Sequence, residues 1–345
     1  MIKYITSCLI ALLLLNCSET KKNNSEVSKT PMAVLFETDM GNDIDDALAL
    51  DMLYKYLDAG EINLLGISIN KDNAYAAQFI DIINTWYGYP NIPIAQVREG
   101  IEDGVPTNFG QAVCEYQKKN GETFERSIKN YSDLPESTLL YRKVLSSQPD
   151  NSVTIISVGY STNLARLLET PADDYSPLTG SELVKKKVKL LSVMGGNFDG
   201  TNPHEYNIEK DVKSAQKLFT DWPTKLVLSP FEVGIAVNFP GNVIENNLLY
   251  AEEHPLAIAY KAYLPMPYNR PTWDLTSTLY AIEGADNYFG LSSGGIVEVD
   301  GEGATSFTPT DKGKHFYLTI NDMQKKVINN RFIEMISQKP LHLAE

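Results

Sequence analysis

Six short apolar runs, each separated from the next by a helical or polar stretch, constrain this chain more than any other feature. They are Ala33–Thr38, Ile62–Ile69, Ile92–Val97, Val153–Val158, Val188–Met194 and Lys225–Leu228. Each has the length of a buried strand. Leu48, Met52, Leu53, Tyr56 and Leu57 recur at helical spacing between the first two runs, and Gly60 is placed to end that helix. Ala76, Phe79, Ile80, Ile83 and Trp86 do the same between the second and third. Strands alternating with helices predict βαβ units, and so a Rossmann-like α/β fold: a mixed, mainly parallel sheet flanked by helices on both faces. Beyond about residue 240 the pattern turns more helical. It then predicts a hairpin around Ile296–Val299 and Phe307–Thr308 and a last helix over Asp322–Ser337. No repeat or linker divides this part, so one domain is expected over residues 32–345.

The first 31 residues read differently. Lys3 precedes an apolar stretch from Ile5 to Leu15, too short to span a bilayer, which ends in Leu14-Leu15-Asn16-Cys17. That ending resembles a bacterial lipobox with Cys17 as the lipidated residue, so residues 1–17 are expected to be a lipoprotein signal. Residues 18–31 are polar and rich in Lys, Asn and Ser, as suits a flexible tether. The expectation is an exported protein of the bacterial cell envelope, held to a membrane only through a lipid anchor. Ordinary signal cleavage, giving a soluble periplasmic protein, is the alternative.

Charge narrows the partners. The formal net charge is −14, and 43% hydrophobic against 21% charged residues suffices for a large core. Such an acidic chain lacks the basic footprint that nucleic acid or an anionic membrane surface requires. It suits a neutral or cationic small molecule, and self-association is left open. Of three cysteines, Cys8 lies in the signal and Cys17 is the candidate anchor. Cys114 alone can form neither an internal disulfide nor a thiolate metal site, and it reads as a small buried hydrophobe.

The first apolar run ends in Glu37-Thr38-Asp39-Met40-Gly41-Asn42-Asp43-Ile44-Asp45-Asp46, four aspartates within eight positions. Helix capping accounts for one or two of them. Crowding all four at a strand-to-helix turn favours a hard cation such as Ca²⁺, which takes carboxylate oxygens. In open α/β sheets ligands bind beyond the carboxyl ends of the strands. At the carboxyl ends of the other predicted strands stand Asn70, then Gly159-Tyr160-Ser161-Thr162-Asn163, then Gly195-Gly196-Asn197 running on to Asn202-Pro203-His204-Glu205-Tyr206-Asn207. These ends should meet the aspartates at one rim. Pro271-Thr272-Trp273-Asp274 adds an acid beside an aromatic.

Together, in this order, these segments resemble the inosine-uridine-preferring nucleoside hydrolase family. Its marks are an Asp-Thr-Asp-x-Gly-x-Asp-Asp turn, a Gly-x-x-Thr-Asn turn, a Met-Gly-Gly stretch leading to Glu-Phe-Asn, and a downstream metal-binding Asp. The resemblance runs from about residue 33 to the chain end. It implies a Ca²⁺-dependent N-glycosidase that splits ribonucleosides into ribose and base. It further implies that Asp39, Asp46 and Asp274 bind Ca²⁺ through side chains and Thr162 through its carbonyl. Asp39 would take the proton of the attacking water. Asp45, Asn202, Glu205 and Asn207, with Asn70 added, would hold the sugar. The chemistry agrees, because a carboxylate-rich pocket stabilises the cationic sugar that forms as the bond breaks.

Three departures stand out. Glu37 replaces the family's first Asp, and Asn42-Asp43 extends the turn, leaving Asp43 and Asp45 both open for the sugar position. Trp273 stands where many members place a histidine, as in the purine-specific branch, where it stacks on the base; purine nucleosides are therefore expected. His204 reads equally as an acid or a solvated loop residue, and His254 as a turn residue. Lys185-Lys186-Lys187 reads as a solvated lead into the Val188 strand. Two other readings stay open: a related glycosidase acting on another small sugar conjugate, and a non-catalytic Ca²⁺-stabilised binding lipoprotein.

Overall fold

The computed structural model describes residues 30–41, 43–101 and 108–344. The expected signal, almost all of the tether and the lipidation at Cys17 lie outside the described residues. No helix among the described residues is long and apolar enough to cross a membrane.

The strands are β1 Met32–Thr38, β2 Ile62–Lys71, β3 Ile94–Ile101, β4 Val153–Ser157, β5 Val188–Met194, β6 Lys225–Ser229, β7 Asn238–Pro240, β8 Asn269–Pro271, β9 Gly290–Leu291, β10 Gly295–Val299, β11 Thr305–Pro309 and β12 His315–Thr319. Across the sheet the order is β11-β10-β12-β6-β5-β4-β1-β2-β3, with β9 beside β12 and β7 paired with β8 alone. From β3 to β12 every neighbouring pair is parallel. The β10–β11 hairpin and β9 join antiparallel, which makes the sheet mixed. All six expected strands form, though β3 starts at Ile94 and runs on to Ile101. The strand β12 was not expected, and it lies parallel to β6, between β6 and the expected hairpin.

Both sheet faces are buried, as a parallel sheet requires. Successive side chains of β1 therefore enter different layers. Val34 and Phe36 pack in one core with the helices Asp45–Asp58, Ala76–Trp86 and Trp273–Glu283, while Leu35 packs in the other with Leu164, Leu167, Leu183 and Leu218. The Asp45–Asp58 helix stops as expected, with Gly60 at φ +69° just past its end.

The order of the sheet fixes where a ligand can sit. Winding reverses between β1 and β4: β2 and β3 are laid down on one side, β5, β6 and β12 on the other. At such a switch point the loops leaving two neighbouring strands diverge and open a crevice beyond their carboxyl ends. Those two loops carry Asp39 and Gly159.

Candidate active site

The loop leaving β1 turns at Gly41, whose φ of +107° lies in the region that favours glycine. It then places Asp43 just ahead of the Asp45–Asp58 helix, and Asp45 and Asp46 in that helix's first turn. The last two do not cap their own helix. An oxygen of Asp46 accepts from the Thr38 hydroxyl, and Asp45 Oδ2 accepts from the Asp274 backbone N–H at 3.1 Å. Asp274 opens a different helix, Trp273–Glu283, so residues 229 positions apart are locked together.

One carboxylate oxygen each of Asp45, Asp46 and Asp274 lies within 4.8 Å of the others, and all three residues are buried. Burial, and then repulsion from neighbouring carboxylates, holds all three well above the usual carboxylate range. Asp39 is among the groups repelling both Asp46 and Asp274, but it is not one of the three residues whose oxygens lie within 4.8 Å of one another. Buried carboxyls so close must share protons or a cation. An all-oxygen donor set of this charge fits Ca²⁺. The basic neighbour at this cluster, Arg270, is engaged by Asp43, to which its Nε donates at 2.8 Å.

A cavity of about 310 Å³ opens on this cluster. Its wall combines two chemistries: five acids, Asp39, Asp45, Asp46, Asp274 and Glu205, and four aromatics, Tyr206, Phe231, Tyr263 and Trp273. Val158, Met194, Asn207, Asp43 and Arg270 complete it.

The polar wall is rigidly held. Glu205 caps the Tyr206–Lys210 helix, accepting from the Asn207 and Ile208 backbone, and it also accepts from Gly196 N–H at 3.3 Å. Burial still pushes its carboxyl up to about 7. Asn207 Nδ2 donates to the Val158 carbonyl at 3.2 Å, and no described residue donates to its Oδ1. Trp273 stacks on Phe231 at 5.7 Å and donates from its ring nitrogen to the Phe231 carbonyl at 3.1 Å. Gly234 lies under the indole, where a Cβ would come within 2.2 Å of the ring.

Three residues singled out from the sequence are not part of this wall. Asn70 is buried one layer behind it: its Nδ2 donates to Glu37 at 3.0 Å and to the Tyr160 carbonyl at 2.8 Å. Glu37 also accepts from the Tyr141 hydroxyl at 2.7 Å, and burial pushes its carboxyl up to about 7. The Thr162 hydroxyl donates to Asp211 at 2.5 Å, and Thr162 begins the Thr162–Glu169 helix. Asn202 is half-buried in the loop that leaves β5.

The remaining candidates lie at the margin of the cavity or away from it. Asp43 is engaged by Arg270 and by the Ile44 backbone N–H at 2.6 Å. His204 is an exposed loop residue whose Nδ1 lies 3.1 Å from the Glu302 carbonyl. His254 corrects the sequence reading: it is buried at the start of the Pro255–Tyr263 helix, against Trp86 and Tyr250. Cys114 is buried, its thiol pushed up to about 12, so it behaves as the expected hydrophobe. Lys185, Lys186 and Lys187 end the Gly180–Lys187 helix just before β5. Sequence reasoning missed Phe231, Tyr263 and Arg270. Only the last had a visible signal, a lone arginine four positions before Asp274 in an acidic chain.

The fold recurs in solved structures. A plant nucleoside hydrolase is 20% identical, covering 90% of this chain and 100% of its own, with a TM-score of 0.63. An inosine-uridine preferring nucleoside hydrolase from Bacillus anthracis is 17% identical over 88% of this chain and 99% of its own, with a TM-score of 0.63. A purine-preferring ribonucleoside hydrolase from Gardnerella vaginalis is 16% identical over 88% and 98%, with a TM-score of 0.65. No curated protein matches the sequence. At the level of families, the description "Inosine-uridine preferring nucleoside hydrolase" matches residues 34–329, nearly the whole folded part. With its aspartate turn, its downstream Asp274 and that match, this chain belongs to the inosine-uridine preferring nucleoside hydrolase family and is a hydrolase of N-glycosyl compounds.

Proposed function

We propose that this protein is a Ca²⁺-dependent, purine-preferring ribonucleoside hydrolase, exported and anchored by a lipid on Cys17. The observation that carries the catalytic part is a cavity lined by both acids and aromatic rings. A ribonucleoside is a polyol joined to a flat aromatic ring, and the wall supplies partners for both. Four large rings favour the broader purine face.

Asp39, Asp46 and Asp274 would hold the cation, with the Thr162 carbonyl as a further donor from the β4 side. Bound there, Ca²⁺ would supply positive charge that orients a water and two sugar hydroxyls. Asp45, Glu205 and Asn207 face the cavity as sugar-binding groups, because fixed carboxylate and amide oxygens accept from hydroxyls. Asn202 would add a contact from the loop. Asn70 acts from behind by fixing Glu37 and the β4 turn. Asp39 accepts the proton of the attacking water. The surrounding carboxylates stabilise the positive charge that grows on the ribose as the glycosidic bond lengthens. Trp273 and Phe231 hold the base by stacking.

Purified mature protein assayed against a nucleoside panel tests this reading. Free ribose and free base should appear in equal amounts, faster from purine nucleosides, and stop on adding a chelator. Binding of nucleosides without release of ribose would support a non-catalytic binding lipoprotein instead. Release of another sugar only would support a related glycosidase.

A further inference from the structure

We infer that Arg270 selects the departing base, recognising the O6 and N7 edge of a 6-oxopurine such as hypoxanthine or guanine in preference to adenine. The inference rests on the nucleoside-hydrolase reading of the cavity and adds to it the class of base.

Arg270 comes from β8 and lies against two of the aromatic rings of the wall. Its guanidinium carbon lies 5.1 Å from the centre of the Tyr263 ring and 5.3 Å from that of Trp273. A base lodged among those rings is therefore within reach of the guanidinium. The group is held in place: Nε and Nη2 both donate to Asp43, and Asp43 is itself fixed by the Ile44 N–H and the Tyr263 hydroxyl. The remaining nitrogen, Nη1, has no hydrogen-bond partner among the described residues. It carries two N–H donors, and Arg270 is the one basic residue among the described residues of the cavity wall.

The pairing with Asp43 has a second consequence. A free arginine here would turn to Asp45 or Asp274 and take the place of a cation. Tied to Asp43, it leaves those carboxylates to the sugar side and presents only its outer edge.

That edge offers donors and no acceptor. Adenine presents the N6 amino donor beside N7, so donor would face donor. Hypoxanthine and guanine present two acceptors, O6 and N7, the pattern that arginine reads as a fork. The same contact assists departure. When the C1′–N9 bond breaks, its electron pair stays on N9 and spreads towards N7 and O6. A new C1′–O bond forms to water, whose proton passes to Asp39, and the base takes a proton from solvent. Fixed N–H donors at O6 and N7 stabilise the charge where it develops. In a wall without histidine among its described residues, Arg270 is the group placed to do this.

The test is kcat/KM for inosine, guanosine, adenosine and 4-nitrophenyl riboside, in calcium, for wild type, Arg270→Met and the double variant Asp43→Asn with Arg270→Met. The double variant guards against misfolding from an unpaired Asp43. Wild type should favour inosine and guanosine over adenosine by about tenfold or more. Both variants should lose roughly ten- to a hundredfold on the oxopurines, the discrimination of one bidentate arginine–base pair. Their loss on adenosine and on the nitrophenyl riboside, whose leaving group needs no such help, should be much smaller. A wild type that prefers adenosine overturns the inference. So does an unchanged inosine-to-adenosine ratio in both variants, or an equal fall on all four substrates. If wild type cleaves none of the four, the hydrolase reading has failed, an outcome distinct from these.

Discussion

At the scale of residues, Asp39 and Trp273 represent the two chemistries of the cavity wall, acidic and aromatic. Asp39 lies at the switch point and lines the same cavity as Asp46 and Asp274, where a proton acceptor would face the sugar. Asp39→Asn keeps the shape and removes the basicity. It should lower kcat for inosine by about 10²–10⁴, the usual weight of a general base, as read from ribose release. An unchanged kcat would remove Asp39 from proton transfer. Trp273 is anchored through its ring nitrogen to the Phe231 carbonyl and stacked on the Phe231 ring. Trp273→Ala should lower kcat/KM for purine nucleosides by about 1–3 kcal/mol of lost stacking, while ribose inhibits wild type and variant alike. Equal purine kinetics in the two would make the indole a packing residue.

At the scale of elements, the turn after β4 is as tightly specified as the aspartate turn it faces. A Cβ on Gly159 would come within 2.6 Å of both Asn70 Oδ1 and the Asp39 backbone nitrogen. Gly159→Ala must push β1 and β4 apart at the switch point. The expected result is a folded protein, by circular dichroism, with weakened calcium binding and activity; wild-type calcium affinity would contradict this. A second element effect lies far from the cavity. His254 is buried between Trp86 and Tyr250, with Lys55 nearby, and burial followed by the Lys55 charge pushes its pKa down to about 3. It stays neutral in the fold but is protonated in the unfolded chain below about 6.5. Its contribution is intact above that value and declines as the pH falls towards 3. Between pH 7 and pH 5 this one residue should cost about 2 kcal/mol of stability. His254→Gln should remove that part of the slope in denaturant titrations at the two values, and an identical slope would contradict it.

These elements also show what the sequence could and could not reveal. β1, β2, β4, β5 and β6 were legible because most positions on both faces of each are buried, so each reads as a mainly apolar run. β12 was not, because Phe316 and Tyr317 are only half-buried and its place beside β6 is set by tertiary pairing. The acidic part of the lining was legible first at Asp39, Asp43, Asp45 and Asp46, because these four aspartates share one turn. Phe231, Tyr263 and Arg270 come from separate elements, and nothing local distinguishes a cavity aromatic from a core one. Asn70 stands at a strand end with its Nδ2 engaged by Glu37 and the Tyr160 carbonyl, while its buried Oδ1 has no hydrogen-bond partner.

At the scale of the whole molecule, the cation joins parts of the chain that are far apart in sequence. A cation held by Asp39, Asp46 and Asp274 would tie the start of the sheet to a helix over 200 residues later. Ligand that binds only the folded state stabilises it, by about 2.7 kcal/mol at a hundredfold excess over Kd. Chelation should therefore lower the Tm of wild type and leave that of Asp274→Asn almost unmoved. The proposed anchor is independent of all this. Cys17→Ser should shift the protein from the membrane to the soluble fraction with its specific activity intact, and a wild type that is already soluble would contradict the lipidation. Coupling between cation and catalysis is what the proposed mechanism depends on most. The direct measurement is the rate of ribose release from inosine as a function of free calcium, in wild type and Asp274→Asn. Wild type should rise from near zero along a one-site saturation curve, and the variant should stay near zero at the concentrations that saturate wild type. A wild-type rate that is the same in calcium and in excess chelator would contradict that coupling.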